Sequence, residues 1–227
     1  MKTIAIIPAG GKGKRSGFPA PKQYIKFNGK ELIAFTLSVF QKNKNVDEIV
    51  VAAEPEFFSL LTEIKKRYRL NKLTGIVEGG NERQDSVYNA LRSLKTSKDD
   101  LILVHDAARP LLPQNILTAA ILTAKEKGNA LVCLPGRDTL IRGGKFVEEY
   151  VIREKLFYVQ TPQIFKYSTL IRAMRKAYSE NFVGTDESML VKRLGGKINI
   201  VEGSILNFKI TTKTDVDLFK HFVKKLK

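Results

Sequence analysis

The chain alternates between short continuous runs of apolar residues and longer stretches in which apolar residues recur every three or four positions. Runs of the first kind are rich in β-branched residues and bounded by turn formers, which predicts buried strands. These predicted strands are residues 4–8, 48–53, 74–79, 101–107, 130–135 and 207–211. Stretches of the second kind predict amphipathic helices at residues 30–43, 55–69, 82–95 and 113–128.

Strands that alternate with helices predict an α/β fold for residues 1–227, read as a single domain. Because the predicted strands are apolar almost throughout, we expect a mainly parallel twisted sheet, Rossmann-like, with helices on both faces. Ligands of such sheets lie beyond the carboxyl ends of the strands. Loops that follow strands are therefore where chemistry is expected.

Residues 136–158 interrupt this alternation. Two strand-like runs flank the sequence RGGK, which predicts a hairpin with Gly143-Gly144 as its turn. Apolar residues recur along it, at Leu140, Ile141, Phe146, Val147 and Val151. A two-stranded ribbon of this kind needs something to pack against, so we expect a protruding β-arm.

Composition narrows the class of protein. The 227 residues are 43% hydrophobic, and Cys133 is the single cysteine. No apolar run reaches the length of a membrane span. We therefore expect a cytoplasmic protein that does not contact membrane. The net charge of +16 fits either a nucleic-acid-binding protein or an enzyme of small anionic substrates. The lysine-rich stretches 65–69 and 220–227 are expected on surface helices, and no nucleic-acid-binding module is recognisable. We therefore favour the enzyme, with no nucleic-acid partner.

The stretch IAIIPAGGKGKR at residues 4–15 joins a predicted strand to a loop rich in glycine and cations. Glycines allow close approach of successive backbone N–H groups to a ligand, which together with the cations predicts a phosphate-binding loop. The spacing excludes a Walker P-loop, and the dinucleotide fingerprint fails where Ser16 replaces its last glycine. The loop thus suits phosphates without belonging to either common class.

A carboxylate follows another predicted strand in LVHDAARP, at residues 103–110. Asp106 is expected at the carboxyl edge of the sheet, near the glycine loop. Such an aspartate is often a turn former or helix cap, but beside a triphosphate it would bind Mg²⁺, which prefers one or two carboxylates and phosphate oxygens. Arg109 is expected to donate two hydrogen bonds to a phosphate. The alternative is that Arg109 forms a salt bridge with a purely structural role.

Taken in order, PAGGKGKR, PKQY, GGNERQDSV, VHDAARP, QTPQIF, GTDES and NFKIT resemble the motifs of the 2-C-methyl-D-erythritol 4-phosphate cytidylyltransferase family. The resemblance runs from residue 4 to about residue 215. Ribitol 5-phosphate cytidylyltransferases share most of these motifs, so ribitol phosphate is the alternative substrate.

The resemblance implies a nucleotidyltransferase fold and a reaction of CTP with a polyol phosphate, in the presence of Mg²⁺ or another divalent cation. It assigns catalysis to Arg15 and Lys22, and metal binding to Asp106. The residues that it implies for CTP are Ala9, Gly10, Gly11, Gly13, Arg15, Lys22, Gly80, Asn81, Ser86 and Ala107. Those implied for the polyol phosphate are Asp106, Arg109, Thr139, Arg153, Thr185 and Lys209.

Two positions depart from the family pattern. Gly10 stands where the family usually has a second alanine, and Asn81 stands where some members have an acid. We therefore expect backbone groups to select cytosine. In the family the arm clasps a second subunit, so the resemblance also implies a homodimer in which Thr139 and Arg153, at the two ends of the arm, complete the substrate site.

Overall fold

The structure, a computed structural model, describes residues 1–11 and 21–224. Within these residues the strands are β1 (Thr3–Pro8), β2 (Lys26–Phe27), β3 (Lys30–Glu31), β4 (Glu48–Ala53), β5 (Leu73–Glu78), β6 (Leu101–Val104), β7 (Asn129–Pro135), β8 (Leu140–Gly143), β9 (Val147–Val151), β10 (Phe157–Lys166) and β11 (Ile200–Glu202). The helices are α1 (Leu32–Lys42), α2 (Phe58–Arg67), α3 (Arg83–Ser93), α4 (Gln114–Lys127), α5 (Tyr167–Ser179), α6 (Glu187–Lys192) and α7 (Lys213–Lys224). Short 3₁₀ turns occur at Lys22–Tyr24, Pro55–Phe57, Arg153–Lys155 and Ile205–Asn207.

The central sheet of the described chain has the strand order β11-β7-β10-β6-β1-β4-β5. All of its strands run parallel except β10, which is antiparallel to both β6 and β7. The prediction of a mainly parallel sheet is confirmed. β1 leads to β4 and β5 towards one edge, whereas β5 leads back to β6 on the other side of β1, so the chain order reverses at β1. Such a reversal leaves a crevice at the carboxyl ends of the strands, where ligands bind.

Helices cover both faces because successive side chains of a strand point to opposite sides. On β1, Ala5 and Ile7 pack into a buried cluster with α1, α2 and α4. Ile4 and Ile6 pack on the other face with α3, α5 and α6. Both faces of β1 are thus dry, which explains its continuous apolar sequence. A third cluster joins α7 to the region of β2 and α1.

Most of the strand predictions coincide with observed strands, and two need correction. The strand predicted at 101–107 ends at Val104. The strand predicted at 207–211 is wrong: Asn207 ends a 3₁₀ turn and the residues after it form no regular structure. Phe208 and Ile210 alternate with polar residues because they pack into the α7 cluster, not because they belong to a sheet.

Residues 140–151 form the predicted hairpin, a two-stranded sheet of its own. Its turn lies at residues 144–146, because Gly143 still pairs with Val147. The predicted arm boundary at 158 is too late, since Phe157 and Tyr158 pair with β7 in the central sheet. A hydrogen bond from the Gly136 N–H to the Leu156 carbonyl (2.9 Å) closes the base of the arm.

Among the described residues no helix is both long enough and apolar enough to cross a membrane.

Candidate active site

A cavity of about 730 Å³ opens at the carboxyl ends of β1, β4, β5 and β6. Its walls combine backbone from two glycine turns with charged side chains. The predicted site residues that line it are Ala9, Gly10, Gly11, Lys22, Gly80, Asn81, Ser86, Asp106, Ala107 and Lys209. Gly13 and Arg15, the remaining predicted members of the first loop, lie outside the described residues.

The first glycine turn leaves β1 as a continuation of the strand. The Ala9 N–H donates to the carbonyl of Ala52 (2.7 Å), which carries the pairing of β1 with β4 one step into the loop. A Cβ at Gly10 would lie 3.4 Å from the Ser86 hydroxyl oxygen, an ordinary contact distance. The alanine usual in the family would therefore fit here, and the glycine adds conformational freedom without being required by space.

The second turn, residues 79–81, is tied to the start of α3. The Gly80 N–H donates to the Ser86 hydroxyl oxygen (3.0 Å), and that hydroxyl donates to the Glu82 carbonyl (3.2 Å). A Cβ at Gly80 would collide with Cβ of Asp85, so this position requires glycine. The Gly80 N–H is thus already used, and the exposed Asn81 of the same turn lines the cavity.

Asp106 lies on the cavity wall within reach of three cations. Its Oδ1 accepts from Arg83 Nε (3.0 Å), and its Oδ2 lies 3.0 Å from Lys209 Nζ and 3.4 Å from Arg109 Nε. Burial alone would raise the pKa of this carboxyl, but the charges of Arg83, Lys209 and Arg109 outweigh burial and hold it well below the usual range. Asp106 is therefore ionised at any physiological pH and holds three cations at one place.

Arg83 and Glu187 belong to this cluster although the sequence did not single them out. The guanidinium of Arg83 bridges the two acids, with its NH1 donating to Glu187 Oε1 (2.7 Å). Burial raises the pKa of the Glu187 carboxyl, although Arg83 opposes the shift, and its Oε2 is buried without a hydrogen-bond partner in the described structure. Both residues stand inside quoted motifs, ERQ and GTDES, which was the available signal.

The loop that carries Asp106 and Arg109 is held by buried groups. The ring of His105 faces the Arg109 carbonyl through Nε2 (3.0 Å) and the Thr161 hydroxyl through Nδ1 (3.0 Å). Burial lowers the pKa of His105 to about 4, so the ring is neutral at pH 7. A carbonyl only accepts, which assigns the ring proton to Nε2. Thr36 binds the Ala107 carbonyl (2.8 Å) from α1.

Lys209 reaches Asp106 from the irregular segment after the Ile205–Asn207 turn. The Ile210 N–H donates to the Ala108 carbonyl (2.9 Å), and Arg109 NH1 donates to the Asn207 carbonyl (2.7 Å). The side chain of Asn207, fully buried, donates to the Thr161 carbonyl (2.7 Å). The segment is thereby fastened to the Asp106 loop without being a strand.

Four predicted substrate residues do not line this cavity: Arg109, whose guanidinium nevertheless contacts Asp106, and three exposed residues. Thr139 is exposed at the start of the arm, and Arg153 is exposed at its end, where it donates to the Arg137 carbonyl (3.2 Å). Thr185 is exposed in the loop before α6. Within the described residues, the fold of one chain therefore brings the predicted nucleotide residues together with Asp106 and Lys209 and keeps Arg109 against Asp106, but leaves the three exposed residues outside.

The described residues contain no group of three or more His, Cys, Asp or Glu side chains able to hold a metal ion by themselves. Glu54, Glu78 and Glu82 also line the cavity, but Asp106 is the carboxylate placed among the cations. The arrangement suits a polyphosphate, because backbone turns and cations fixed by a buried acid line the same cavity.

Comparison with known proteins gives a consistent result. A family model described as 2-C-methyl-D-erythritol 4-phosphate cytidylyltransferase matches residues 3–225. Proteins of that name from Geobacter metallireducens and Geotalea uraniireducens are 41% and 38% identical to the chain, which they match over 99% of its length and over 98% and 97% of their own.

Solved structures agree with the sequence relatives. The crystal structure of the Francisella tularensis enzyme of that name has a TM-score of 0.83 at 31% identity, covering 97% of this chain and 99% of the other. The Thermus thermophilus structure has a TM-score of 0.81 at 30% identity, covering 99% and 100%.

Proposed function

The chain belongs to the 2-C-methyl-D-erythritol 4-phosphate cytidylyltransferase family, and from this premise we propose how its cavity carries out the reaction. The protein transfers the cytidylyl group of CTP to 2-C-methyl-D-erythritol 4-phosphate, giving 4-diphosphocytidyl-2-C-methyl-D-erythritol and pyrophosphate. The reaction supplies isoprenoid precursors by the non-mevalonate pathway. Neither ribitol phosphate nor nucleic acid is favoured as an alternative partner by this family membership.

The observation that carries the proposal is the cluster of Arg83, Arg109 and Lys209 around Asp106, since Asp106, Arg83 and Lys209 line the same cavity as the two glycine turns. Two carboxylates, Asp106 and Glu187, face three cations, which leaves the cluster with a net positive charge. CTP, the sugar phosphate and pyrophosphate are all anions. A cluster of this charge would attract phosphate groups to its part of the cavity and keep its donors fixed before substrate arrives.

In the proposed step, a phosphate oxygen of the polyol phosphate attacks the α-phosphorus of CTP in line, and the bond to pyrophosphate breaks. The attacking phosphate is already an anion, so no strong general base is needed. Catalysis then consists of alignment and of positive charge on the oxygens that gain charge. We assign that charge to Lys22, which lines the cavity, and to Arg15 of the adjoining loop.

We propose that the nucleotide lies along the two turns. The Gly10–Gly11 backbone would hold the triphosphate and the 79–81 turn the base. The Gly80 N–H already donates to the Ser86 hydroxyl oxygen, so Asn81 and the remaining backbone groups of this turn would contact the cytosine. Lys209 and Arg109, held against Asp106, would offer their remaining N–H donors to the second substrate.

Asp106 fits a divalent cation held jointly with the triphosphate. Its carboxylate stays ionised, lies on the cavity wall and offers the oxygen ligands that Mg²⁺ prefers. When bound, Mg²⁺ would neutralise charge on the triphosphate oxygens. Asp106 itself has two tasks in this proposal, since it holds the cations in place and supplies the protein's carboxylate to the metal.

We further propose a homodimer formed through the arm. Ile141, Phe146, Val147, Tyr150 and Ile152 are all more than half exposed in the single chain. Such an apolar ribbon gains stability by packing against a second copy in an isologous contact. Thr139 and Arg153 at the ends of this ribbon would then reach a substrate bound in the partner's cavity, which explains why neither lines the cavity of its own chain.

The test is pyrophosphate release with CTP and Mg²⁺, with either 2-C-methyl-D-erythritol 4-phosphate or ribitol 5-phosphate as acceptor. We expect turnover with the methylerythritol phosphate at least about 10²-fold more efficient, because an ill-fitting polyol leaves polar groups unpaired. Equal and negligible turnover with both acceptors would refute cytidylyl transfer, and a preference for ribitol 5-phosphate would refute the acceptor.

A further inference from the structure

The side chain of Gln23 lies between the first glycine turn and the turn that carries Lys22. It is 4% exposed, and its Nε2 donates to the carbonyl oxygens of both Ala9 (2.5 Å) and Gly11 (3.0 Å). Both partners are acceptors only, so the amino end of the amide must face them. The two N–H groups of one side chain thus bind two alternate carbonyls of the loop.

The turn that presents Gln23 is anchored in the core. The Tyr24 N–H donates to the Pro21 carbonyl (3.0 Å), and the Ile25 N–H donates to the Lys22 carbonyl (3.2 Å). The ring of Tyr24, itself buried, stacks on Phe57 with 4.0 Å between the ring centroids. The amide of Gln23 is therefore held from a fixed element and can hold the loop in turn.

Its two hydrogen bonds decide which way the loop backbone faces. In a trans peptide the C=O and the following N–H point in opposite directions. With the Ala9 carbonyl drawn to Gln23, the N–H of Gly10 points away from that amide. The same bonds pair the carbonyl oxygens of Ala9 and Gly11 with N–H donors. Unpaired carbonyl oxygens at the edge of this cavity would repel a bound phosphate.

We propose that Gln23 is a positioning residue for cytidylyl transfer, which joins the glycine turn to the Lys22 turn and fixes their relative place. This inference rests on the proposed function. Gln23 follows Lys22 directly and its amide reaches Ala9 and Gly11, so one side chain couples the triphosphate backbone contacts to the proposed catalytic cation. Gln23 carries no charge and does not act on the reacting atoms itself.

The substitution Gln23→Glu tests this coupling because it keeps the shape and removes both donors. At neutral pH its carboxylate would face two carbonyl oxygens, which displaces the loop. We expect kcat to fall about 10²-fold, the cost of a misplacement of about 1 Å, with a smaller change in KM for CTP. The ratio of variant to parent activity should rise as pH falls from 8 to 5, because a protonated carboxyl regains one O–H donor and burial raises the pKa of a glutamate above its usual value of about 4.3.

Gln114→Glu is the matched control. Gln114 also donates to a backbone carbonyl, that of Val39 (2.8 Å), but does not line the cavity. The ratio of the activity of the Gln114→Glu variant to that of the parent should stay near one and should not change with pH. If Gln23→Glu does not fold by circular dichroism, Gln23→Met replaces it, and we expect the same loss of kcat without recovery in acid.

The outcomes separate the two proposals. A parent enzyme without turnover refutes the proposed function. An active parent with a fully active Gln23→Glu variant, or with a variant whose activity ratio does not rise in acid, overturns the role of Gln23 alone. For the Gln23→Met variant, unchanged kcat overturns it in the same way.

Discussion

At the scale of single residues, Asp106 organises the charge of the site, because Arg83, Arg109 and Lys209 all contact its carboxylate. Its place after an apolar strand predicted a carboxylate at the sheet edge, and the structure puts it on the cavity wall. Arg83, which pairs with Asp106, and Glu187, which pairs with Arg83, were missed, because these residues are distant in sequence and meet only through the fold. Gln23 was missed for a different reason: an uncharged side chain that binds two carbonyls has no signature in spacing.

The substitution Asp106→Asn should separate charge from shape. The amide is nearly isosteric, so the fold should persist, with a free energy of unfolding lower by about 3 kcal/mol since three cations lose their buried counter-charge. Turnover should fall and lose most of its dependence on Mg²⁺, because a neutral ligand binds a hard cation poorly. Magnesium titrations of activity, with urea unfolding in parallel, measure both effects.

Asp99→Asn is the control for that substitution. Asp99 pairs with Lys166 (3.0 Å) on the surface, where an ion pair contributes little stability. Its variant should keep the parent's stability and response to Mg²⁺. A variant Asp106→Asn that fails to fold would show Asp106 to be structural, and an unchanged response to Mg²⁺ would remove it as a metal ligand.

At the scale of elements, periodicity located the strands that are apolar on both faces and the helices α1 to α4, but not α5 and α6, which also cover the sheet. It missed β10, where Gln160, Pro162 and Gln163 interrupt the apolar pattern of a strand at the centre of the sheet. The polar groups are satisfied by loops: Gln160 binds the Ser204 carbonyl and Gln163 binds Asp186. A buried strand whose side chains hydrogen-bond to neighbouring loops therefore lacks the continuous apolar sequence by which the other strands were recognised.

The hairpin β8–β9 is the element whose removal is most informative. Replacing residues 140–151 by a short Gly-Ser turn should leave the central sheet intact, because β8 and β9 pair only with each other in the described chain. We expect a folded monomer that still binds CTP and has lost most turnover, since Thr139 and Arg153 would no longer reach a partner's cavity. Light scattering, calorimetric CTP binding and turnover measure these three results.

Arg142→Ala provides a control for the hairpin. Arg142 pairs with Glu149 (3.1 Å) across the exposed ribbon, so its loss should cost little and leave the apolar side chains in place. That variant should remain dimeric and active. An unchanged dimer after removal of residues 140–151, or a fully active monomer, would contradict the role given to the arm.

At the scale of the whole molecule, the order of strands explains why so much of the site could be predicted. In a mainly parallel sheet every loop after a strand reaches the same edge, so motifs far apart in sequence converge without further information. Thr139, Arg153 and Thr185 do not follow this rule because they lie on the arm and beyond β10. The predicted role of Thr139 and Arg153 depends on a second copy of the chain, which the order of strands does not address.

The central claim is that this cavity accelerates cytidylyl transfer mainly by positive charge on the reacting phosphate. Its most direct test measures the single-turnover rate and the CTP dissociation constant of Lys22→Ala, with Lys176→Ala as control. Lys176 is an exposed helix lysine that pairs with Glu180 (3.7 Å) away from the cavity. We predict a rate at least about 10²-fold slower for Lys22→Ala, less than about a tenfold change in CTP affinity, and the same behaviour for Arg15→Ala. An unchanged rate, or a loss confined to CTP affinity, would contradict the account.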